Sequence, residues 1–506
     1  MRHWLLDLPL FIQFLLIGGL AMFAPAVLAF VQDDHFTSRI FFYAATLCVF
    51  LSVLVGFAFG NVRPRLDARN QLLALLAAFS VLPAILAIPF YEAVRDTSYV
   101  NAYFEMVSAL TTTGATVFDD PDRLEDAVHF WRAIVGWLGG FLAWLMAAAI
   151  LAPMNLGGFE VTSNEKIGQG PTLFSQIGRH ATAADRMARH LNKLLPIYSG
   201  LTLVLWIALI LAGDTPFVAI CHAMSTLATS GISPIGGLRE GQAGWAGEAL
   251  IVCFLFFALS RHTFMPTHAD GRWTLLQRDR EIRVGLFFVF VVPTLLFLRH
   301  WVGAYEVNEE EKILSVFQAL WGGFFTVFSF LTTTGFESAG WSAAGDWSGL
   351  RTPGVILMGL ALIGGGVATT AGGVKLFRVY ALYKHGLREM EKLVHPSSVG
   401  GAGMHARQVR RQGAYIAWIF FMVFALSIAL TTLALSATGL KFEPSIIFAV
   451  SALSTTGPLA TVTGEAALSF ASLGVAAKLI LSGAMVLGRL EALAIIALLN
   501  PDFWRP

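Results

Sequence analysis

Charge is what this chain has least of. Of its 506 residues only 13% are Asp, Glu, Lys or Arg, while 56% are hydrophobic; a soluble domain carries about 25% charged residues. The shortage excludes a water-soluble globular protein and leaves an integral membrane protein. The charges nearly cancel, to a net +1, so nothing draws the chain to nucleic acid. Cysteine is almost missing as well. Cys48, Cys221 and Cys253 each fall inside an apolar stretch, which excludes a disulfide framework and a thiolate metal site and leaves three small buried hydrophobes. Catalytic sets are absent: there is no His-Glu-x-x-His and no Ser/His/Asp constellation, and His222 is read as a packed or hydrogen-bonded residue. The glycine-rich stretch Gly364–Lys375 is not a Walker loop. That motif needs Gly-Lys-[Ser/Thr] in series, and here Val374 separates Gly373 from Lys375. Neither an enzyme nor a chain with a bound cofactor of its own is expected.

What the chain has instead is apolar length. Runs long enough to cross a bilayer, about 20 residues, lie near 10–31, 39–60, 71–91, 130–154, 194–213, 246–265, 284–304, 352–383, 412–436 and 471–499. The first is longer than the 7–15 residues of a signal-peptide core and is expected to be a retained span. Arg63, Arg65 and Arg69 fill one loop, Lys166, Arg179, Arg186, Arg189 and Lys193 another. Arg272, Arg278, Arg280 and Arg283 fill a third, and Lys384, Arg388, Lys392, Arg407, Arg410 and Arg411 a fourth. The positive-inside rule makes these loops cytoplasmic, and alternation then puts both termini in the cytoplasm. The opposite loops are acidic, with Asp119, Asp120, Asp122 and Glu309–Glu311, either to enrich cations at an outer mouth or simply because Lys and Arg are excluded there.

Between these spans one phrase, Ser-x-Leu-x-Thr-[Thr/Ser]-Gly, occurs four times: Ser108–Gly114, Ser225–Gly231, Ser329–Gly335 and Ser451–Gly457. The copies lie on the order of 100–120 residues apart, the mark of internal duplication. Each follows a segment too short to cross, on the outer side, so the chain must enter, turn and return. Non-helical backbone at membrane depth survives only where protein buries it or where it lines an aqueous path. A ring of backbone carbonyls at the membrane centre can replace the hydration shell of K⁺ without binding it too tightly. The candidate filter and K⁺-binding residues are Thr112, Thr113 and Gly114; Thr229, Ser230 and Gly231; Thr333, Thr334 and Gly335; and Thr455, Thr456 and Gly457. The glycines are assigned the turn, the hydroxyls the tethering of the loop, and each short helix points its negative C-terminal end at the cation.

These phrases, with Trp137-Leu138-Gly139-Gly140, the Gly364–Lys375 stretch and Leu487-Gly488-Arg489-Leu490-Glu491, make the chain resemble the membrane subunit of the Trk/Ktr/HKT potassium-transporter superfamily, nearest its bacterial TrkH-type members. The resemblance covers essentially the whole chain. It implies an all-α integral membrane fold with two N-terminal helices and four helix–pore-loop–helix repeats around one central ion pore. The expected divisions are 1–66 for the extra helices, 67–160 for repeat 1, 161–193 for a cytoplasmic connector and 194–268 for repeat 2. Residues 269–384 form repeat 3, 385–411 a second connector and 412–506 repeat 4. Glycine at all four filter positions implies K⁺, with Rb⁺ as an analogue. A Na⁺ path, a nonselective K⁺/Na⁺ path and an ion-coupled symporter are the competing readings, since passive conduction and symport need the same filter.

Five glycines and two threonines make a poor helix interior at about 1 kcal/mol per glycine, so Gly364–Lys375 should break its span. In the family such a loop gates the pore, which assigns Gly364, Gly365, Gly366, Ala368, Thr369, Thr370, Ala371, Gly372, Gly373 and Lys375 to a gate; close helix packing through small residues is the plainer reading. Arg489, an intramembrane arginine, is assigned to work with it, with Glu491 too close in sequence to face it across one helical turn. Lys478 should snorkel or pair. The resemblance further implies a homodimer in the bacterial inner membrane and a cytosolic TrkA-like ring carrying ATP or NAD(H), which would dock on the basic loops. The family's phrase in the second helix of repeat 2 is replaced here by Ser260-Arg261-His262-Thr263-Phe264.

Overall fold

The computed structural model describes residues 9–59, 68–151, 183–260, 279–304, 313–342, 344, 353–395, 414–464 and 467–491. The described residues are helical throughout apart from loops. Seven helical segments are long and apolar enough to cross a membrane: Leu10–Val31, His35–Ala58, Asn70–Ala93, Asp126–Leu151, Met187–Ala212, Arg280–Leu298 and Ala414–Ala437. The other three expected spans are interrupted or only partly covered by the described residues. The run near 246–265 is helical over Gly244–Ala258, the run near 352–383 is interrupted, and that near 471–499 is a helix over Val475–Leu490. Most of the connector 161–193, the replaced residues Arg261–Phe264 and much of 385–411 lie outside the described residues.

In chain order α1 is Leu10–Ala21, α2 Phe23–Val31, α3 His35–Phe59, α4 Ala68–Ser80, α5 Leu82–Ala93 and α6 Tyr99–Leu110. Next come α7 Asp126–Met146, α8 Ala183–Ala212, α9 Pro216–Ala228, α10 Gly244–Leu255, α11 Arg280–Ala304 and α12 Ile313–Leu331. The last are α13 Gly354–Ile363, α14 Leu376–Val394, α15 Ala414–Ala437, α16 Phe442–Leu453, α17 Leu459–Thr463 and α18 Val475–Leu490. A π-helical turn, Ala147–Leu151, prolongs α7.

The helices that end at the phrases are α6, α9, α12 and α16. Three of them start by distinct local means. Ser98 caps α6 by accepting from the Asn101 amide, Pro216 opens α9 where a missing N–H costs nothing, and Glu443 sits at the positive N-terminal end of α16. Three of them have 12 or 13 residues. The third is longer than expected, 19 residues, with an apolar stretch over Phe317–Leu331.

The second helix of each unit packs against the phrase-ending helix of the next. The pairs are α7 on α9, α10 on α12, α13 on α16 and α18 on α6, which closes the circle. Within a unit, small residues let the second helix lie close to the phrase-ending helix as well. A methyl group on Gly139 of α7 would fall 2.0 Å from the Leu110 carbonyl oxygen, and one on Gly488 of α18 would fall 2.2 Å from that of Leu453. Both carbonyls close the last turn of a phrase-ending helix, so these glycines set how near helix and loop can lie. Helices α1–α3 pack outside the first unit. Buried polar side chains in this region find partners, as hydrocarbon demands. Trp137 Nε1 donates to Thr202 Oγ1 at 2.9 Å and Tyr198 Oη to the Trp137 carbonyl at 3.2 Å, joining units one and two.

Gly139→Val should therefore unseat α7 from α6. Overpacking of this kind costs about 1–3 kcal/mol, and the thermal midpoint of the detergent-purified protein should drop. The same substitution at Gly200, which has nothing within 4 Å of a would-be Cβ, should leave it nearly unchanged; equal losses would argue against the close approach.

Candidate functional site

All four phrases fold alike. The amide of the sixth residue bonds back to the carbonyl of the first: Thr113 to Ser108 at 2.8 Å, Ser230 to Ser225, Thr334 to Ser329 and Thr456 to Ser451 at 2.9 Å each. Inside that bond, Thr112 donates to Ala109, Thr229 to Thr226, Thr333 to Phe330 and Thr455 to Ala452. This nested pair is the Schellman closure of a helix C-terminus. Its left-handed residue is ordinarily glycine. Here it is threonine four times over, Thr112, Thr229, Thr333 and Thr455, with φ between 51° and 57°. A β-branched residue there is a true outlier, at about 1–3 kcal/mol each.

The turn is thus not made by the glycines alone. Gly114, Gly231 and Gly335 do have positive φ, of 72°, 66° and 82°, but Gly457 does not. What all four share is crowding by the next copy. A Cβ on Gly114 would lie 1.9 Å from Ser230 O, on Gly231 2.2 Å from Thr334 O, on Gly335 3.0 Å from the Pro458 ring, and on Gly457 2.1 Å from the Ala115 nitrogen. The contacts run one to two, two to three, three to four and four to one. All twelve sequence-assigned ring residues are brought together in one closed ring, its threonines and serines buried. Hydroxyls brace the turns within three phrases: Thr111 to Thr113 at 2.8 Å, Thr332 to Thr334 at 3.2 Å and Ser454 to Thr456 at 3.3 Å. In the second, Ala228 has no hydroxyl and Ser225 reaches Ser230 instead, at 3.1 Å.

On one side of the ring lies a cavity of about 450 Å³, lined by all four glycines and by Asp119, Glu337, Arg132 and Arg239 among others. Burial pushes the Glu337 carboxyl above its ordinary range, with Arg239 opposing. Ser233 also lines it, and its Oγ lies 2.9 Å from His222 Nε2, whose Nδ1 is 3.8 Å from Asp214. His222 is packed and bonded, as expected, and Ser233 Oγ is already held by the amides of Ile235 and Gly237.

On the other side the chain between α13 and α14 leaves the helix as a buried loop. Val374 and Lys375 amides bond back to Leu362 and Ile363, so the two helix halves stay together at its base. Gly364, Gly373, Ala368 and Lys375 all have positive φ. The loop touches every unit. Thr370 Oγ1 donates to Leu227 O at 3.2 Å, the Gly372 amide donates to Thr333 Oγ1 at 2.7 Å, and a Cβ on Gly372 would meet Ser454 O at 2.2 Å. Arg489 completes the set, giving Nε to Thr111 O at 2.8 Å and Nη1 to Thr370 O at 2.6 Å. Beyond the loop, a cavity of about 30 Å³ is lined by Ala368, Gly372, Lys375 and Arg489.

Glu491 is not the partner of Arg489. It pairs with Arg378 at 2.6 Å, and Arg378 also stacks 3.6 Å above Phe420 and donates to Val374 O. Lys375 occupies the N-cap position of α14, and its Nζ donates to Ala371 O. Lys478 pairs, with Asn101 Oδ1 at 2.9 Å. Sequence reasoning missed Glu105, Glu248 and Glu281. Glu105 and Glu248 are acidic groups in apolar stretches, the signal that could have found them; Glu281 sits among the charges of a basic loop, which hides it, and accepts from the Val367 amide at 2.8 Å.

The chain is similar to known proteins over nearly its whole length. The family described as TrkH, cation transport protein, matches residues 37–236 and 272–502. The chain is 32% identical over 507 residues to the Trk system potassium uptake protein TrkH of Vibrio parahaemolyticus, covering 96% of each chain. It is 30% identical over 492 residues to that of Escherichia coli K12, again covering 96% of each. The crystal structure of the potassium transporter TrkH from Vibrio parahaemolyticus superposes with a TM-score of 0.81 at 28% identity, over 100% of both chains.

Thr112→Gly removes a left-handed threonine whose Oγ1 has no partner among the described residues. Relief of about 1–3 kcal/mol outweighs the roughly 0.5–1 kcal/mol entropic penalty of glycine, so the thermal midpoint should rise. Thr333→Gly, which also loses the bond from Gly372, should gain less or nothing. A midpoint that falls equally in both would refute the strained turn.

Proposed function

The chain belongs to the TrkH family of cation transport proteins, and on that premise we propose that it takes up K⁺ through the ring of four phrases. The observation that carries this reading is the closed circle of glycine contacts, which brings twelve backbone and hydroxyl groups from four repeats to one point. Carbonyl oxygens gathered there replace the water around a K⁺ ion, and the C-terminal ends of α6, α9, α12 and α16 add negative potential. The Thr113, Gly114, Ser230, Gly231, Thr334, Gly335, Thr456 and Gly457 backbones are the proposed ligands. The 450 Å³ cavity is then the outer vestibule.

The Gly364–Lys375 loop is the proposed gate, with Arg489 as its latch. It bonds to the ring from the side opposite the vestibule, and the small cavity beyond it, about 30 Å³, has room for a few waters at most. A hydrated cation does not fit, so the arrangement is that of a closed path. The buried guanidinium adds a positive charge where the ion would leave. Opening would require Thr370, Gly372 and Arg489 to give up their bonds together.

The same reading places the protein in the bacterial inner membrane with both termini in the cytoplasm, as the basic loops suggest. It extends to a homodimer and to a TrkA-like cytosolic ring bearing the nucleotide, ATP or NAD(H), as the controlling partner. The names of the relatives, uptake proteins of Trk systems, support a multi-component assembly.

Two substitutions test filter and gate separately, with ⁸⁶Rb⁺ uptake into liposomes as the assay. Gly114→Ser puts a Cβ against Ser230 O and a side chain on a positive-φ residue, so the advantage of K⁺ over Na⁺ as competitor should fall about tenfold, equal to 1.4 kcal/mol. An unchanged ratio in folded protein would remove Gly114 from the filter. Arg489→Ala should raise flux several-fold without altering the ratio, and a lower flux in correctly assembled protein would remove Arg489 from the gate.

A further inference from the structure

Directly past Gly114 and Gly335 the outward limbs of loops one and three belong to no helix or strand, so side chains have to hold their amides. Two buried carboxylates do so. Glu105, on α6, accepts from the Val117 amide at 2.6 Å and the Thr116 hydroxyl at 2.8 Å through Oε1, while Oε2 pairs with Arg132 at 2.9 Å. Glu248, on α10, accepts from the Ala339 amide at 2.8 Å through Oε1, and from Ser338 Oγ at 2.8 Å and Trp321 Nε1 at 2.6 Å through Oε2. The two side chains arise from unrelated positions, one within its own unit and one from the unit before. They nonetheless grip a similar stretch, an amide and the hydroxyl before it, two and three residues past Gly114 and three and four past Gly335. Glu105 and Glu248 are 1% and 3% exposed, so neither is a solvated surface charge.

The other two loops are held differently. In the second, Asp214 accepts from the Ala243 amide at 2.9 Å, at the far end of the loop from Gly231. In the fourth, Pro458 and the short helix α17 take over directly after Gly457. Because the units touch in the order one, two, three, four, the carboxylate-held loops face each other across the ring. We infer that Glu105 and Glu248 are positioning residues for ion discrimination, which fix the width of the ring along the diameter joining loops one and three. This inference rests on the reading of the ring as a filter.

The physical reason is the cost of a loose limb. K⁺ and Na⁺ differ in how closely carbonyls must approach to replace water. A loop free to move inward would serve the smaller ion equally well. A carboxylate accepting several bonds is a stiffer anchor than a neutral group, because charge-assisted hydrogen bonds are shorter and stronger. Glutamine in the same place must present an amide N–H toward groups that are themselves donors, Arg132 in one case and Trp321 with Ser338 or Ala339 in the other.

The test is ⁸⁶Rb⁺ uptake into liposomes holding the full-length protein, competed with K⁺ and with Na⁺, for wild type, Glu105→Gln, Glu248→Gln, Thr116→Val and Ser338→Ala. The readout is the ratio of the two inhibition constants, which a general loss of folded protein does not move. The glutamine variants should reduce K⁺ preference about tenfold. The hydroxyl variants, which leave both carboxylates in place, should reduce it less and in the same direction. An unchanged ratio with merely reduced total uptake would overturn the inference. If the glutamine variants fail to fold, an unchanged ratio in both hydroxyl variants overturns it as well. A wild-type protein that does not prefer K⁺ to Na⁺ would instead bring down the filter reading itself.

Discussion

The bond from the sixth residue of each phrase to the carbonyl of its first is the constraint on which the rest depends. It stops the helix inside the helical bundle and turns the backbone back without leaving the last carbonyls bare, where an unpaired buried polar group costs several kcal/mol. With threonine rather than glycine at the left-handed position, the turn is strained in all four copies. Strain of this sort persists only where the surroundings over-determine it. Here the surroundings are the neighbouring copies and the glycine-rich loop, which lie against the turns from the two sides.

The loop between α13 and α14 is built by the same economy of partners. Its base is stitched by Val374 and Lys375 to the preceding helix, and its tip is bonded to groups from two phrases and to Arg489. Few of those bonds are internal to the loop. Its position therefore depends on the ring, and the ring's inner face is in turn capped by the loop. Arg378, Glu491 and Phe420 hold the foot of α14 against α15 and the end of α18, so the loop is anchored at its root.

Much of this was legible from residues. The repeated phrase, the break at Gly364–Lys375 and seven of the ten spans were visible as pattern, because hydrophobic length and repetition are local properties of a chain. The conformation of Thr112 and its equivalents was not. The same phrase reads as though glycine makes the turn, and only the closed ring reveals that glycine is needed chiefly for room. Gly457, with an ordinary φ, shows the distinction. Nor could sequence pair Glu248 with Ala339, 91 residues away, or assign Arg378 to Glu491, 113 residues away. Glu105 was within reach, as a carboxylate in a short apolar helix nine positions before a ring glycine, and was passed over for the hydroxyls beside it.

The head-to-tail contacts around the ring have an evolutionary consequence. A duplicated gene segment is free to diverge only as far as its product's neighbours permit. Here each copy abuts the next through Gly114 and Ser230, Gly231 and Thr334, Gly335 and Pro458, and Gly457 and Ala115. Drift in one copy is therefore inherited as a selective pressure by the copy after it, and the four are bound to change in step at these positions. At the outward limbs, where the anchors already differ, they are free to part ways.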